Sequence, residues 1–190
     1  MRKISKFILL FSLLILTTIT VSFSQISTVL ASERWSSVDN SWEYAAKVAP
    51  PELMQKVLEE NVSDDWLGDP RRMKVIKLKI RGQKNNLYLV NTRVQYECPP
   101  SGCSPLADPL CGSSGCAYLG YIQRGNSYHR VFNEYLKSIL PPKVSFLEVS
   151  DRLTLGLPCL RFTELSDLAT NKLQISKFCY NGNNYKLVNF

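Results

Sequence analysis

The sequence predicts an α+β fold, with a short N-terminal helical region packed on an antiparallel, hairpin-rich, disulfide-stapled sheet of roughly six to eight strands. Three observations predict it. From residue 74 onward apolar and polar residues alternate with a period of two, the mark of half-buried strands. Those segments are separated by Gly- and Asn-rich turns. Six cysteines stand in the chain, none of them in its apolar leader.

The leader comes first. Met1-Arg-Lys-Ile-Ser-Lys6 carries three basic residues, an apolar run extends from Phe7 to Phe23, and Val29-Leu30-Ala31-Ser32 fits the small-residue rule for cleavage after Ala31. Residues 1–31 therefore read as a signal peptide, and the chain is expected to be exported, periplasmic or secreted. An uncleaved anchor is the competing reading, since about 17 near-apolar residues approach a bilayer span. Cleavage would leave no transmembrane segment. It would remove three of 23 basic residues and none of 16 acids, lowering the net charge from +7 to +4. Residues 32–190 fit a single exported domain, burying about 70% of the unfolded surface. Within it, residues 32–70 are read as helical and 71–190 as the β-rich core.

Within residues 32–70, Trp42–Val48 suits a short helical turn that Pro50-Pro51 ends. Pro51 also suits the first position of a second helix, with Glu52 near the positive end of its dipole. Leu53, Met54, Val57 and Leu58 form an apolar stripe at helical spacing, expected to face the core. Ser63–Pro70 reads as an acidic, solvated loop whose spacing does not match a calcium-binding loop. Asn61-Val-Ser63 is a glycosylation sequon.

The strands follow. Ile76, Leu78 and Ile80 alternate with Lys77, Lys79 and Arg81, and Tyr88, Val90, Thr92, Val94 and Tyr96 alternate after a turn at residues 82–86. Cys116–Gln123 and Tyr128–Phe132 make a second hairpin. Val131, Phe132, Tyr135, Leu136, Ile139 and Leu140 then show helical spacing, which Pro141-Pro142 would stop. Strands resume at Lys143–Val149 and Leu157–Thr163, and Leu173–Tyr180 with Tyr185–Phe190 closes the chain as a hairpin. Gly125-Asn-Ser-Tyr128 and Gly182-Asn-Asn-Tyr185 share one turn chemistry, because Gly-Asn accepts the left-handed backbone and the Tyr packs across the strand pair.

In an exported chain an even cysteine count points to disulfides. Cys159 and Cys179 lie in strand-like segments and are expected to pair across a sheet. Cys98, Cys103, Cys111 and Cys116 admit local closure (Cys98–Cys103 and Cys111–Cys116) or nesting (Cys98–Cys116 and Cys103–Cys111). A zinc site built from two Cys-x4-Cys units is weakened by the seven-residue gap between them. Redox catalysis is disfavoured because Cys-x-x-Cys is absent. Neither a metal nor another cofactor is expected.

The run Cys111-Gly-Ser-Ser-Gly-Cys-Ala-Tyr118-Leu-Gly120-Tyr121, followed by Tyr128 and Val131-Phe132, resembles segments of uncharacterised exported proteins of bacteria, cyanobacteria especially. The resemblance implies export and a β-rich core, and it carries no functional residues across.

No catalytic constellation stands out. His129 is the only histidine and would have to be the base of any serine or cysteine hydrolase. Glu134, Glu148, Asp151 and Glu164 could serve carboxylate-pair hydrolysis, but their spacing singles out no pair. The surface feature that stands out is basic: Arg71, Arg72, Lys74, Lys77, Lys79, Arg81 and Lys84 occur with no acid among them. Lys77, Lys79 and Arg81 share one strand face, a stripe able to attract an anionic envelope polymer or lipid surface. Lysines on a strand also block edge-to-edge aggregation. Nucleic acid is not expected outside the cytoplasm, and no aromatic-basic interleaving marks a base-stacking surface. The sequence therefore reads as an exported non-enzymatic binding module, with an envelope hydrolase as the alternative.

Overall fold

Pro51 opens the long helix as expected, its missing N–H costing nothing at the first helical position. The computed structural model describes residues 32–62, 68–80, 82, 86–94, 110–167 and 170–188. The leader, Cys98, Cys103, Arg81, Lys84 and most of the acidic loop lie outside the described residues. Arg34–Phe190 form one unit. In chain order the elements are β1 (Trp35–Ser37), β2 (Glu43–Tyr44), α1 (Ala45–Val48), α2 (Pro51–Asn61), β3 (Lys74–Lys79), β4 (Asn86–Asn91), β5 (Cys111–Gly112), β6 (Gly115–Arg124), β7 (Ser127–Leu136), β8 (Leu147–Thr154), β9 (Leu157–Asp167), β10 (Lys172–Tyr180) and β11 (Tyr185–Val188).

The protein is β-rich and antiparallel, but the strands form two sheets rather than one. An outer sheet runs β1-β8-β9-β10-β11, and a middle sheet runs β2-β3-β4-β6-β5 with β7 paired to β6. The N-terminal region is not purely helical, since it supplies an edge strand to each sheet, β1 to the outer and β2 to the middle.

Alternation places one apolar set on each face of the middle sheet. Ile76, Leu87, Leu89, Tyr118, Ile122 and Phe132 pack against Leu147, Leu160, Phe162 and Phe178 of the outer sheet. Val75, Tyr88, Val90, Leu119 and Tyr121 pack against Leu53, Met54 and Val57 of α2. The middle sheet is therefore sandwiched, and β4 and β6 read as nearly unbroken apolar runs because both of their faces are covered. Phe162 centres the inter-sheet core. It stacks on Phe132 with ring centroids 5.3 Å apart and meets Tyr118, Phe146 and Phe178 edge-on.

Residues 127–136 form a ten-residue strand, not a helix. A β-bulge explains the helix-like spacing: Gly120 pairs with Phe132 and Tyr121 with Arg130, leaving Val131 extra. Val131 and Phe132 then point into the same core, an adjacent apolar pair that imitates a helical stripe. Gly120 is required there, because a Cβ would come within 2.7 Å of the Phe132 Cβ. Residues 143–146 are not strand either. The Asp39 carboxylate accepts the Phe146 and Leu147 amides (2.8 and 3.0 Å), and β8 starts only at Leu147.

Among the described residues two disulfides tie neighbouring strands, Cys111–Cys116 across β5 and β6 and Cys159–Cys179 across β9 and β10. Cys111–Cys116 rules out the nested pairing. The tight turn between these two cysteines depends on Gly115, whose φ is +110° and whose added Cβ would lie 2.2 Å from the Leu136 carbonyl oxygen. Loop-closure entropy puts the two bridges at about 2 and about 3 kcal/mol respectively. Both are what an oxidising compartment leaves in a chain. No helix among the described residues is long and apolar enough to cross a membrane.

Candidate functional site

The expected basic stripe divides on folding. Arg71 sits in a 3-10 turn and forks onto the Asp69 carboxylate, with Nε at 3.0 Å and Nη2 at 3.0 Å. That hydrogen-bonded guanidinium holds the Asp69 carboxyl below the usual carboxylate range. Arg72 ends the same turn. Lys74 lies 3.9 Å over the Tyr44 ring and Lys77 lies 5.7 Å over the Tyr88 ring. Lys77 and Lys79 are exposed. β2 covers only Lys74 and Val75, so the rest of β3 is a sheet edge among the described residues. Arg81, the third member of the predicted face, is outside the described residues.

Register shows where this face leads. Lys77 pairs with Tyr88, Tyr88 with Tyr121 and Tyr121 with Arg130, so one row of side chains crosses four strands on the helix-bearing side. The two tyrosines are buried under α2, and cations emerge at both ends. At the Arg130 end a groove of about 620 Å³ opens between α2 and β7. That volume is in the ordinary range of ligand sites.

Glu60 organises the groove floor. Lys56 Nζ lies 3.0 Å from Glu60 Oε1, the Tyr121 hydroxyl donates to Oε2 at 3.0 Å, and Arg130 Nε stands 3.8 Å from Oε2. Burial pushes the Tyr121 phenol well up, which keeps its proton available for that donation. Asn61 completes the network. Its Nδ2 donates to the Val57 carbonyl (2.8 Å) and to Tyr121 Oη (3.3 Å), and its Oδ1 accepts from Arg130 Nη1 (2.8 Å). The predicted sequon therefore places its acceptor nitrogen inside a hydrogen-bond network, a poor position for a glycan on the folded chain.

The strand wall holds the lone histidine. His129 Nε2 lies 3.0 Å from Ser127 Oγ, two residues apart on one strand face. Ser127 Oγ also donates to the Arg124 carbonyl at 3.2 Å. With its proton there, Ser127 accepts from the imidazole rather than donating to it, the opposite of nucleophile activation. Among the described residues no carboxylate hydrogen-bonds His129, so the orienting acid of a triad is missing.

Of the candidate carboxylates, Glu148 and Asp151 are each taken by an arginine, while Glu134 and Glu164 lie close enough to influence each other. Glu148 receives Arg161 (Nε 2.8 Å, Nη2 2.7 Å), and Asp151 receives the backbone and Nε of Arg34, both at 3.0 Å. Glu164 caps the Lys137 amide at 2.7 Å. Burial raises the Glu134 carboxyl, opposed by Lys186 and reinforced by Glu164. Among the described residues no three of His, Cys, Asp and Glu gather to hold a metal ion.

Sequence reasoning found His129 but not the groove around it. Lys56, Glu60, Asn61 and Ser127 join the site only because α2 is laid on strands about 60 residues further along the chain. Their types and spacing carry no motif. Compared with family models, curated proteins and solved structures, the chain gives no match.

Proposed function

We propose that the chain is an exported, non-enzymatic binding module that meets its partner on the helix-bearing face of the middle sheet. The observation that supports this best is the groove between α2 and β7, whose Lys56, Glu60, Asn61 and Arg130 are fixed in position by one another. Side chains held in this way lose little freedom on binding, which favours recognition. The β3 lysines, at the far edge of the same face and outside the groove, form a separate contact where an anionic envelope polymer or lipid surface would attach. Export rests on the leader, on the resemblance to exported bacterial proteins and on the disulfides.

The test is retention on immobilised heparin and on phosphatidylglycerol vesicles. Lys77→Glu with Lys79→Glu should lose retention near physiological salt, where screening leaves only close contacts effective. Unchanged retention removes the basic edge from the function. The alternative, an envelope hydrolase, would need Ser127 as nucleophile and His129 as base, a use that the Ser127 hydrogen bond to the Arg124 carbonyl opposes. Labelling by a fluorophosphonate that disappears in Ser127→Ala would establish it, and an unlabelled protein would leave binding as the function.

A further inference from the structure

We propose that the groove takes an extended peptide, added as a further strand to the open edge of β7, with basic side chains at the positions that face α2. This inference rests on the groove being the partner site and names the class of partner. Among the described residues β7 pairs only with β6, so its other edge has no strand beside it.

Hairpin geometry fixes which backbone groups that edge presents. Arg124 and Ser127 flank the two-residue turn Gly125-Asn126, where Gly125 supplies a φ of +60°. The residues closing a two-residue turn form a hydrogen-bonded pair, and such pairs alternate with non-bonded ones along an antiparallel ladder. Tyr128 opposite Gln123 and Arg130 opposite Tyr121 are therefore non-bonded pairs. Their N–H and C=O groups point away from β6, towards the groove that both residues line. Donors and acceptors repeating at every second residue match an extended chain, which presents the same repeat. The bulge at Val131 ends the regular edge, so the recognised segment is short.

Charge sets the side chains. On the helix wall Lys56 is committed to Glu60, which also faces Arg130, and among the described residues Glu59 receives only the neutral Gln55 amide at 2.8 Å. Glu52 lines the same wall. A peptide strand beside β7 sends alternate side chains to the helix side, where Glu52 and Glu59 await a cation. Lysine or arginine fits there.

The probe is a blocked (Lys-Thr)3 peptide titrated into the purified protein, followed by fluorescence anisotropy and by backbone amide NMR. Binding should protect the Tyr128 and Arg130 amides from exchange. It should be lost when alternate peptide nitrogens are methylated, and it should weaken about tenfold or more for (Glu-Thr)3 or in Glu52→Lys with Glu59→Lys, both exposed helix positions that leave the fold intact. If the methylated peptide binds equally well and still shifts groove resonances, strand addition is overturned while the groove remains a binding site. If neither peptide moves any groove resonance, strand addition falls. If Arg130→Ala and Glu60→Gln also leave every ligand that the protein retains, the peptide, heparin and vesicles alike, bound as before, the groove falls as the partner site too. If the free protein dimerises through β7, the edge belongs to a second copy and the proposal fails.

Discussion

Among the described residues the middle sheet has two long open edges, the part of β3 that β2 leaves uncovered and β7, and they are defended differently. At β3 the edge carries Lys77 and Lys79, both exposed, and a two-residue strand, β2, covers its start. At β7 the edge is ten residues long and carries a bulge and a flanking helix in place of lysines. Charge repels any strand that approaches β3, whereas a bulge and a helix restrict approach at β7 to one short segment and one direction. A guarded edge protects solubility. On the proposed reading, an edge left open beside a built groove is a place to bind.

The largest effect should come from breaking the structure behind β7. Gly115→Ala puts a Cβ 2.2 Å from the Leu136 carbonyl, at the end of β7, and forces alanine into φ +110°. Urea denaturation should show a loss of about 3 kcal/mol or more, since both strain and overpacking act. Gly120→Ala should cost about 1–3 kcal/mol by pressing on Phe132 at the bulge. If Gly120→Ala is neutral, the bulge does not set the shape of this edge.

Removing the guard on the other edge should barely touch stability. Lys77→Thr with Lys79→Thr is expected to change unfolding by less than about 0.5 kcal/mol, while light scattering shows faster aggregation at high concentration. Aggregation equal to wild type would mean that β3 needs no guard, and the two edges would then differ in nothing but length.

The smallest effect is acid dependence near β3. Hydrogen bonding to Arg71 lowers the Asp69 carboxyl relative to the unfolded chain. Its contribution is therefore present above the unfolded pKa, near 4, and disappears as pH falls through the lower folded value. Asp69→Asn should make the stability profile between pH 4 and 3 shallower. An unchanged slope would show that the exposed ion pair contributes nothing measurable.

Much of the fold was legible in local chemistry. Pro51 starts a helix, Gly125 and Gly182 turn hairpins with positive φ, and Lys77 and Lys79 are exposed. Where local reading failed, the cause was nonlocal. Val131-Phe132 looked helical because pairing against Gly120 puts both in one core. Trp35 falls in the stretch that reads as helical but pairs with Ser150, more than a hundred residues away. Of the groove, the sequence singles out His129 as a candidate base and marks Asn61 and Glu52 for other reasons. The Glu60 network could not be read because its members contact one another across about 60 residues with no repeating spacing.

The sequence by itself determined the turns, the long helix, the sheet-forming segments and a cysteine set suited to an oxidising compartment. Each of these follows from steric and periodic preferences spanning a few neighbours. Only the tertiary structure decided that the strands divide into two sheets, that α2 covers one face, and that β3 and β7 become the edges. Those outcomes depend on which distant apolar faces find each other, a choice set by total burial rather than by any short run of residues.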